Sequence, residues 1–261
     1  MILYYEETAE PEVLSSLLAC PDLTAAEAGT VPSDTELHLY LDGEGLSLRQ
    51  GKLAMRGDFR EMLPRLKQSN LEREMLVKAS RMKNAAGPLA LLDATAGMGE
   101  DSMILASAGF QVVLYEYDPV IAALLGDALR RAREIPELAA AASRMELHTG
   151  DSVAAMRSLS EAPDVILLDP MFPARNKSAM IKKKFQLLQQ LESPCSNEEE
   201  MLMAAVQANP KKIVIKRPLK GPWLAGIRPD HSLSGKAIRY DCLVNLGTRK
   251  DLLLMNMHKH A

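Results

Sequence analysis

PLALLDATAGMGEDSMILASAGFQVVLYEYDP, residues 88–119, decides the fold. Residues 89–93 (LALLD) form a short, wholly apolar run closed by an acid, as in a parallel strand buried on both faces. Gly97 and Gly99 follow in a loop of small residues. The spacing predicts a helix over 101–108, stopped by Gly109, and a second strand over 110–116 (FQVVLYE). Asp118-Pro119 supplies an N-cap with Pro at the first helical position, opening a helix that runs to Arg133.

The same alternation continues toward the C-terminus. RMELHTG (144–150) reads as a third strand, with Asp151 and Ser152 capping a short helix to Leu159. PDVILLD (163–169) is a fourth strand and KKIVIK (211–216) a fifth. Helices are expected near 177–191 and 198–208, the latter capped by Asn197 with three glutamates in its first turn. Residues 231–246 read as two further, antiparallel strands. Strand–helix alternation of this kind implies a doubly wound α/β domain with its ligand at the carboxyl ends of the strands.

Upstream of this domain, HLYLDGEGLSLR (38–49) has the alternation and the Asp-Gly-Glu-Gly centre of a hairpin. Residues 49–83 carry ten Lys/Arg against four acids, and their apolar spacing predicts a helical connector. The division expected is a small α+β extension with its connector over 1–70, the α/β domain over 71–250, and a short tail over 251–261.

The chain has 261 residues and a formal charge of −3. A charge so close to zero argues against a nucleic-acid partner until it is located along the chain. Residues 1–48 hold ten carboxylates and no Lys or Arg, so the remainder carries 31 bases against 24 acids. An acidic head sits on a basic body. No apolar run approaches 18 residues, and the N-terminus lacks the basic start and apolar stretch of a signal peptide, so no membrane partner and a cytoplasmic location are expected. Cys20, Cys195 and Cys242 are few and odd in number, which suits reduced thiols. No metal spacing is present.

The candidate chemistry lies at the predicted strand ends. The Gly97/Gly99 loop suits close approach of a nucleotide-type cofactor, although Ser102 stands where a dinucleotide fingerprint has its third glycine. Glu116 ends strand two, where an acid accepts ribose hydroxyls. Asp151 and Ser152 end strand three and suit an adenine edge as well as a helix cap. Asp169-Pro170-Met171-Phe172-Pro173 ends strand four and brings a carboxylate beside a flat ring. An exocyclic amino nitrogen is conjugated with its base and is a poor nucleophile. A carboxylate accepting its N–H orients it, and a stacked ring holds a base displaced from its helix. Alone, a strand-end Asp before a proline turn is common in α/β proteins. Two acid-free basic clusters flank this rim. Arg175, Lys177, Lys182 and Lys183 belong to the first and Lys216 and Arg217 to the second, both suited to RNA phosphates.

Residues 93–125 (DATAGMGEDSMILASAGFQVVLYEYDPVIAALL), 167–185 (LLDPMFPARNKSAMIKKKF) and 213–218 (IVIKRP) closely resemble the RsmJ family. These are bacterial small-subunit ribosomal RNA guanine-N2 methyltransferases that use S-adenosylmethionine. The resemblance spans roughly residues 75–245 and implies a seven-stranded, Rossmann-like class I methyltransferase sheet. It implies cofactor contacts at Gly97, Gly99, Glu100, Asp101, Glu116, Tyr117, Asp151, Ser152 and Asp169. It further implies that Asp169, Pro170 and Phe172 form the amino-group motif, with Met171 in place of a second proline. Glu100 and Tyr117 depart from the basic residues expected in close relatives.

The function expected is methyl transfer from S-adenosylmethionine to guanine N2 of 16S ribosomal RNA, free or in the small subunit. The alternatives are an adenine-N6 or protein amide methyltransferase, an NAD-dependent oxidoreductase, and a non-catalytic RNA-binding factor.

Overall fold

The computed structural model describes residues 1–27, 30, 33–83, 85, 87–170, 186–188, 190–191, 197–244 and 246. The central element is a seven-stranded sheet. Its strands are β6 (Ala90–Asp93), β7 (Gln111–Glu116), β8 (Met145–Thr149), β9 (Val165–Leu168), β10 (Lys212–Pro218), β11 (His231–Ser234) and β12 (Ile238–Val244). Their order across the sheet is β11-β12-β10-β9-β6-β7-β8. The five strands from β10 to β8 are parallel, and β12 runs antiparallel between β10 and β11. The order reverses between β6 and β9, so the loops leaving their carboxyl ends part around a crevice.

Neighbouring side chains on these strands face opposite layers, as double winding requires. Leu91, Val165, Leu167 and Val214 pack beneath α3 (Met75–Ser80), α4 (Glu100–Ser107), α5 (Pro119–Arg133) and α6 (Pro136–Ala142). Leu92, Ile166, Leu168 and Ile215 pack on the other face with Met156 of α7 (Ser152–Arg157) and Leu202 of α8 (Glu198–Gln207). The N-caps act as expected: Asp118 accepts from the backbone N–H groups of Val120 and Ile121, and Asn197 from that of Glu200. The separate helix α6 is a difference. Pro136 restarts the helix after a turn at residues 134–135, which extended periodicity alone does not reveal.

A second sheet of five strands, in the order β2-β1-β3-β4-β5, precedes this domain. Its strands are β1 (Ile2–Tyr5), β2 (Thr24–Ala25), β3 (His38–Asp42), β4 (Gly45–Gln50) and β5 (Leu53–Met55), with α1 (Pro11–Leu18) between the first two. The 38–49 hairpin forms with Asp42 opposite Gly45, a tighter turn than the four-residue loop expected. Gly45 has φ +113°, a conformation that favours glycine. The connector over 49–83 is a correction, because it is not continuously helical. Arg49 and Gln50 finish β4, residues 53–55 add β5, and helix resumes only in short pieces such as α2 (Gln68–Leu71). Gly51 and Gly57 interrupt a run whose apolar spacing alone suggested helix. The helix expected over 177–191 lies mostly outside the described residues.

The helix α5 joins the two sheets. Val120, Ile121 and Leu124 pack with Leu39, Leu41, Leu46 and Leu48 of the N-terminal sheet, while Leu125, Ala128 and Leu129 belong to the core of the main sheet. A buried carboxylate fixes the junction: Asp127 Oδ2 accepts from the backbone N–H of Leu46 and from Arg131, each within 2.9 Å. Arg130 Nη2 reaches Asp127 Oδ1 at 3.2 Å. Removing that carboxylate strands a buried N–H and a partly buried guanidinium. Asp127→Ala is expected to lower unfolding free energy by about 3 kcal/mol. Denaturant unfolding checks this, together with faster proteolysis in the 43–57 region; a variant within about 0.5 kcal/mol of the parent would refute the junction.

Candidate active site

The crevice is built from the carboxyl ends of β6, β7, β9 and β10. Asp93, the last residue of β6, is buried beneath the loop that follows. Its carboxylate accepts from Ser102 Oγ at 2.6 Å and from the backbone N–H of Thr95 at 3.0 Å. Burial pushes its carboxyl up to about 6, against the opposing pull of those two donors. Ser102, which breaks the dinucleotide fingerprint, is thus a ligand of the Asp93 carboxylate.

Above Asp93 the loop turns through two left-handed glycines, Gly97 at φ +52° and Gly99 at φ +73°. Gly99 needs its missing side chain because a Cβ there would lie 2.7 Å from Leu125 Cδ1. A Cβ at Gly97 would meet nothing within 4 Å, so the loop's outer edge faces open space. The N–H of Gly97 donates to Glu116 Oε2 at 2.8 Å, and that of Asp118 to Oε1 at 2.9 Å. Burial raises the Glu116 carboxyl above its ordinary value, and the two amides counter it. Each carboxylate oxygen of Glu116 has a second lone pair.

Opposite this loop stands Asp169, one residue beyond β9. Its backbone N–H donates to Thr95 Oγ1 at 2.7 Å, tying the two loops across the reversal point. Its carboxylate Oδ2 lies 2.8 Å from Lys216 Nζ, and the same ammonium lies 2.6 Å from Asp101 Oδ2 in the first turn of α4. Register explains the meeting: Ile215 pairs with Leu168, so Lys216 is the next step beside Asp169. Burial works against the charge on Lys216, but Asp169 and Asp101 outweigh it and hold the ammonium well above its usual range. Tyr240, opposite Lys216 on β12, is buried beside this group. Burial and the Asp101 charge push its phenol well above normal.

The structure thus brings Gly97, Gly99, Asp101, Glu116 and Asp169 to one rim, with Pro170 buried next to it. Glu100 is exposed at the helix start, and Tyr117 is 74% exposed beside Glu116. Asp151 caps α7 by accepting from the N–H of Val153 at 2.8 Å, and Ser152 is buried. Two residues expected to meet RNA phosphate are placed differently. Lys216 belongs to the rim through Asp101 and Asp169. Arg217 is buried, with its Nε donating to the Pro222 carbonyl at 3.0 Å and its Nη1 lying 3.1 Å from Glu198. Neither is a free surface cation. Phe172, Arg175, Lys177, Lys182 and Lys183 lie outside the described residues.

Sequence reasoning missed Thr95, Tyr240 and the rim role of Lys216. A lysine in the last turn of a buried strand, level with a strand-end Asp, was the available signal for the last. No group of metal-ligating side chains is present among the described residues. Among them, no helix is long and apolar enough to cross a membrane.

Comparison with known proteins follows this geometry. A family model described as "Putative SAM-dependent methyltransferase" matches residues 25–245. Ribosomal RNA small subunit methyltransferase J of Marinobacter nauticus is 40% identical over 215 residues, 80% of this chain and 77% of that protein. The protein of the same name from Thioalkalivibrio sulfidiphilus is 39% identical over 241 residues, 89% of this chain and 92% of that one. A solved SAM-dependent methyltransferase from Neisseria gonorrhoeae has a TM-score of 0.78 at 31% identity, over 97% of this chain and 99% of that chain.

The raised Asp93 carboxyl has a testable consequence. A folded-state value near 6 against an ordinary 3.8 favours the folded protein most at low pH, and that advantage is lost as pH rises through about 6. Relative to Asp93→Asn, the parent is expected to lose about 2 kcal/mol of stability between pH 4 and 6. Urea unfolding across that window measures it, and parallel pH profiles for the two proteins would contradict it.

Proposed function

The chain belongs to the ribosomal RNA small-subunit methyltransferase J family of S-adenosylmethionine-dependent methyltransferases, and from that premise we propose that it methylates guanine N2 in 16S ribosomal RNA, in the cytoplasm. The observation that carries the reading is the Asp169 carboxylate, fixed by Lys216 on the far side of the crevice from the Gly97 loop and Glu116.

The residues suit the cofactor. Glu116 has acceptor lone pairs for a ribose diol, and the open edge at Gly97 admits a ligand against the backbone. In this reading Gly97, Gly99, Asp101, Glu116, Tyr117, Asp151 and Ser152 line the cofactor side, with Glu100 at its outer edge. S-adenosylmethionine supplies a methyl group on a sulfonium, whose neutralisation makes transfer downhill.

The protein's own part is orientation. Lys216 holds the Asp169 carboxylate through Oδ2, and that carboxylate accepts an N–H of the amino group, turning the nitrogen lone pair toward the methyl donor. The ammonium also favours the ionised form of Asp169, so it acts as an acceptor from the outset. The amino nitrogen becomes acidic only as the new N–C bond forms, and its proton then passes to Asp169 or to water. Pro170 restricts the backbone directly after the carboxylate. Phe172 would stack on the base, with Arg175, Lys177, Lys182 and Lys183 toward the phosphates.

Asp169→Ala is expected to cut turnover about 100-fold or more, and to lower stability as well because it removes one of the two carboxylates paired with Lys216, while S-adenosylmethionine still binds. Asp169→Asn keeps one acceptor and should retain more activity than Ala. Methylation assays paired with calorimetry read both, and an Ala variant of parental activity would sink the assignment. Labelled methyl transfer to small subunits from a strain lacking this protein should map to N2 of one guanine. Label on an adenine would overturn the base and leave the reaction class standing.

A further inference from the structure

Beyond Pro218 the chain turns through residues 219–222 to Trp223, its one tryptophan, which stays 43% exposed. The turn is held rigidly from beneath. Arg239 Nη1 donates to the carbonyls of Pro218, Leu219 and Gly221 at 2.8, 2.9 and 2.9 Å, and Nη2 to that of Pro222 at 3.3 Å. Arg217 Nε reaches the Pro222 carbonyl as well. Both guanidinium-bearing residues are buried, and Asp241 and Glu198 carry their counter-charges. Past the tryptophan, Leu224 is anchored in the apolar cluster that includes Ala94 and Leu168, and Ala225 is left-handed at φ +48°. The ring therefore projects from between two fixed points.

Its position and charge identify what it would meet. The turn leaves the carboxyl end of β10, the end at which Lys216 touches Asp169. Residues 211–240 contain eight Lys/Arg and a single acid. With Lys212, Lys216, Arg217 and Arg239 engaged internally and Lys211 paired with Asp164, Lys220, Arg228 and Lys236 remain exposed, the first two within five residues of the tryptophan in the chain. A rigid aromatic face with flanking cations, beside a crevice that accepts a single base, suits an unpaired nucleotide. We infer that Trp223 is a stacking platform for a single-stranded RNA base neighbouring the target nucleotide, with Lys220 and Arg228 toward its phosphates. This rests on the RNA-methylating reading above.

The single tryptophan makes the test direct. Titration of the unaltered protein with a single-stranded oligoribonucleotide of about ten residues should quench its tryptophan fluorescence to saturation. Trp223→Ala should weaken RNA binding about tenfold or more, and Trp223→Phe should restore most of it, since stacking needs a ring rather than an indole. KM for small subunits should rise in parallel in the Ala variant, with S-adenosylmethionine affinity at the parental value. An RNA complex with unquenched fluorescence, or an Ala variant binding RNA within twofold of the parent, overturns the inference. If the parent neither binds RNA nor methylates small subunits, the RNA reading itself has failed. Parental methylation with an indifferent Trp223 removes the platform alone.

Discussion

One ammonium group holds the crevice in register. Lys216 arises from β10, yet it binds a carboxylate on α4 and another beyond β9, so three elements meet at a single charge. Two buried or half-buried acids at this distance would repel each other strongly in a region of low dielectric. The lysine converts that repulsion into attraction, and burial makes the arrangement costly to break. Thr95 adds a neutral tie between the first and fourth loops. An amino-group acceptor held in this way needs no rearrangement when substrate arrives, which is where preorganised sites gain most.

The charge pattern of the chain divides along structural lines. Two arginines of the 49–83 connector face acids of the head: Arg49 and Arg56 both bind Asp42, and Arg56 also binds Glu44. Arg130 of α5 reaches Glu10. Part of the basic surplus read from the sequence is therefore neutralised inside the fold. Among the described residues, the basic surplus left facing solvent is smaller and more local than a tally of Lys and Arg suggests.

The α/β domain was legible because its signals are local. Apolar runs ending in Asp93 and Leu168, caps at Asp118 and Asn197, and the stop at Gly109 each announce an element without tertiary context. The Gly97, Glu116 and Asp169 rim followed from topology, since parallel strands deliver their carboxyl ends to one edge. What escaped reading was set by pairing across the chain. The connector's strand β5 exists because β4 offers it an edge, and Arg217 is buried where β12 pairs with β10, held by Glu198 and the Pro222 carbonyl. A one-residue step along β10 separates Lys216 in the crevice from Arg217 beneath the turn, and composition cannot distinguish them.

The sharing of α5 between two sheets also bears on synthesis. The Leu46 amide finds its carboxylate 81 residues later in the chain, so the N-terminal sheet is made well before its packing partner. At the usual pace of translation that gap lasts roughly 4 to 16 seconds. Throughout it, Leu39, Leu41, Leu46 and Leu48 lack their later partners Val120, Ile121 and Leu124. Uniform negative charge on residues 1–48 suits a segment that must wait: copies on neighbouring nascent chains repel one another, and unfinished strand edges are kept from joining.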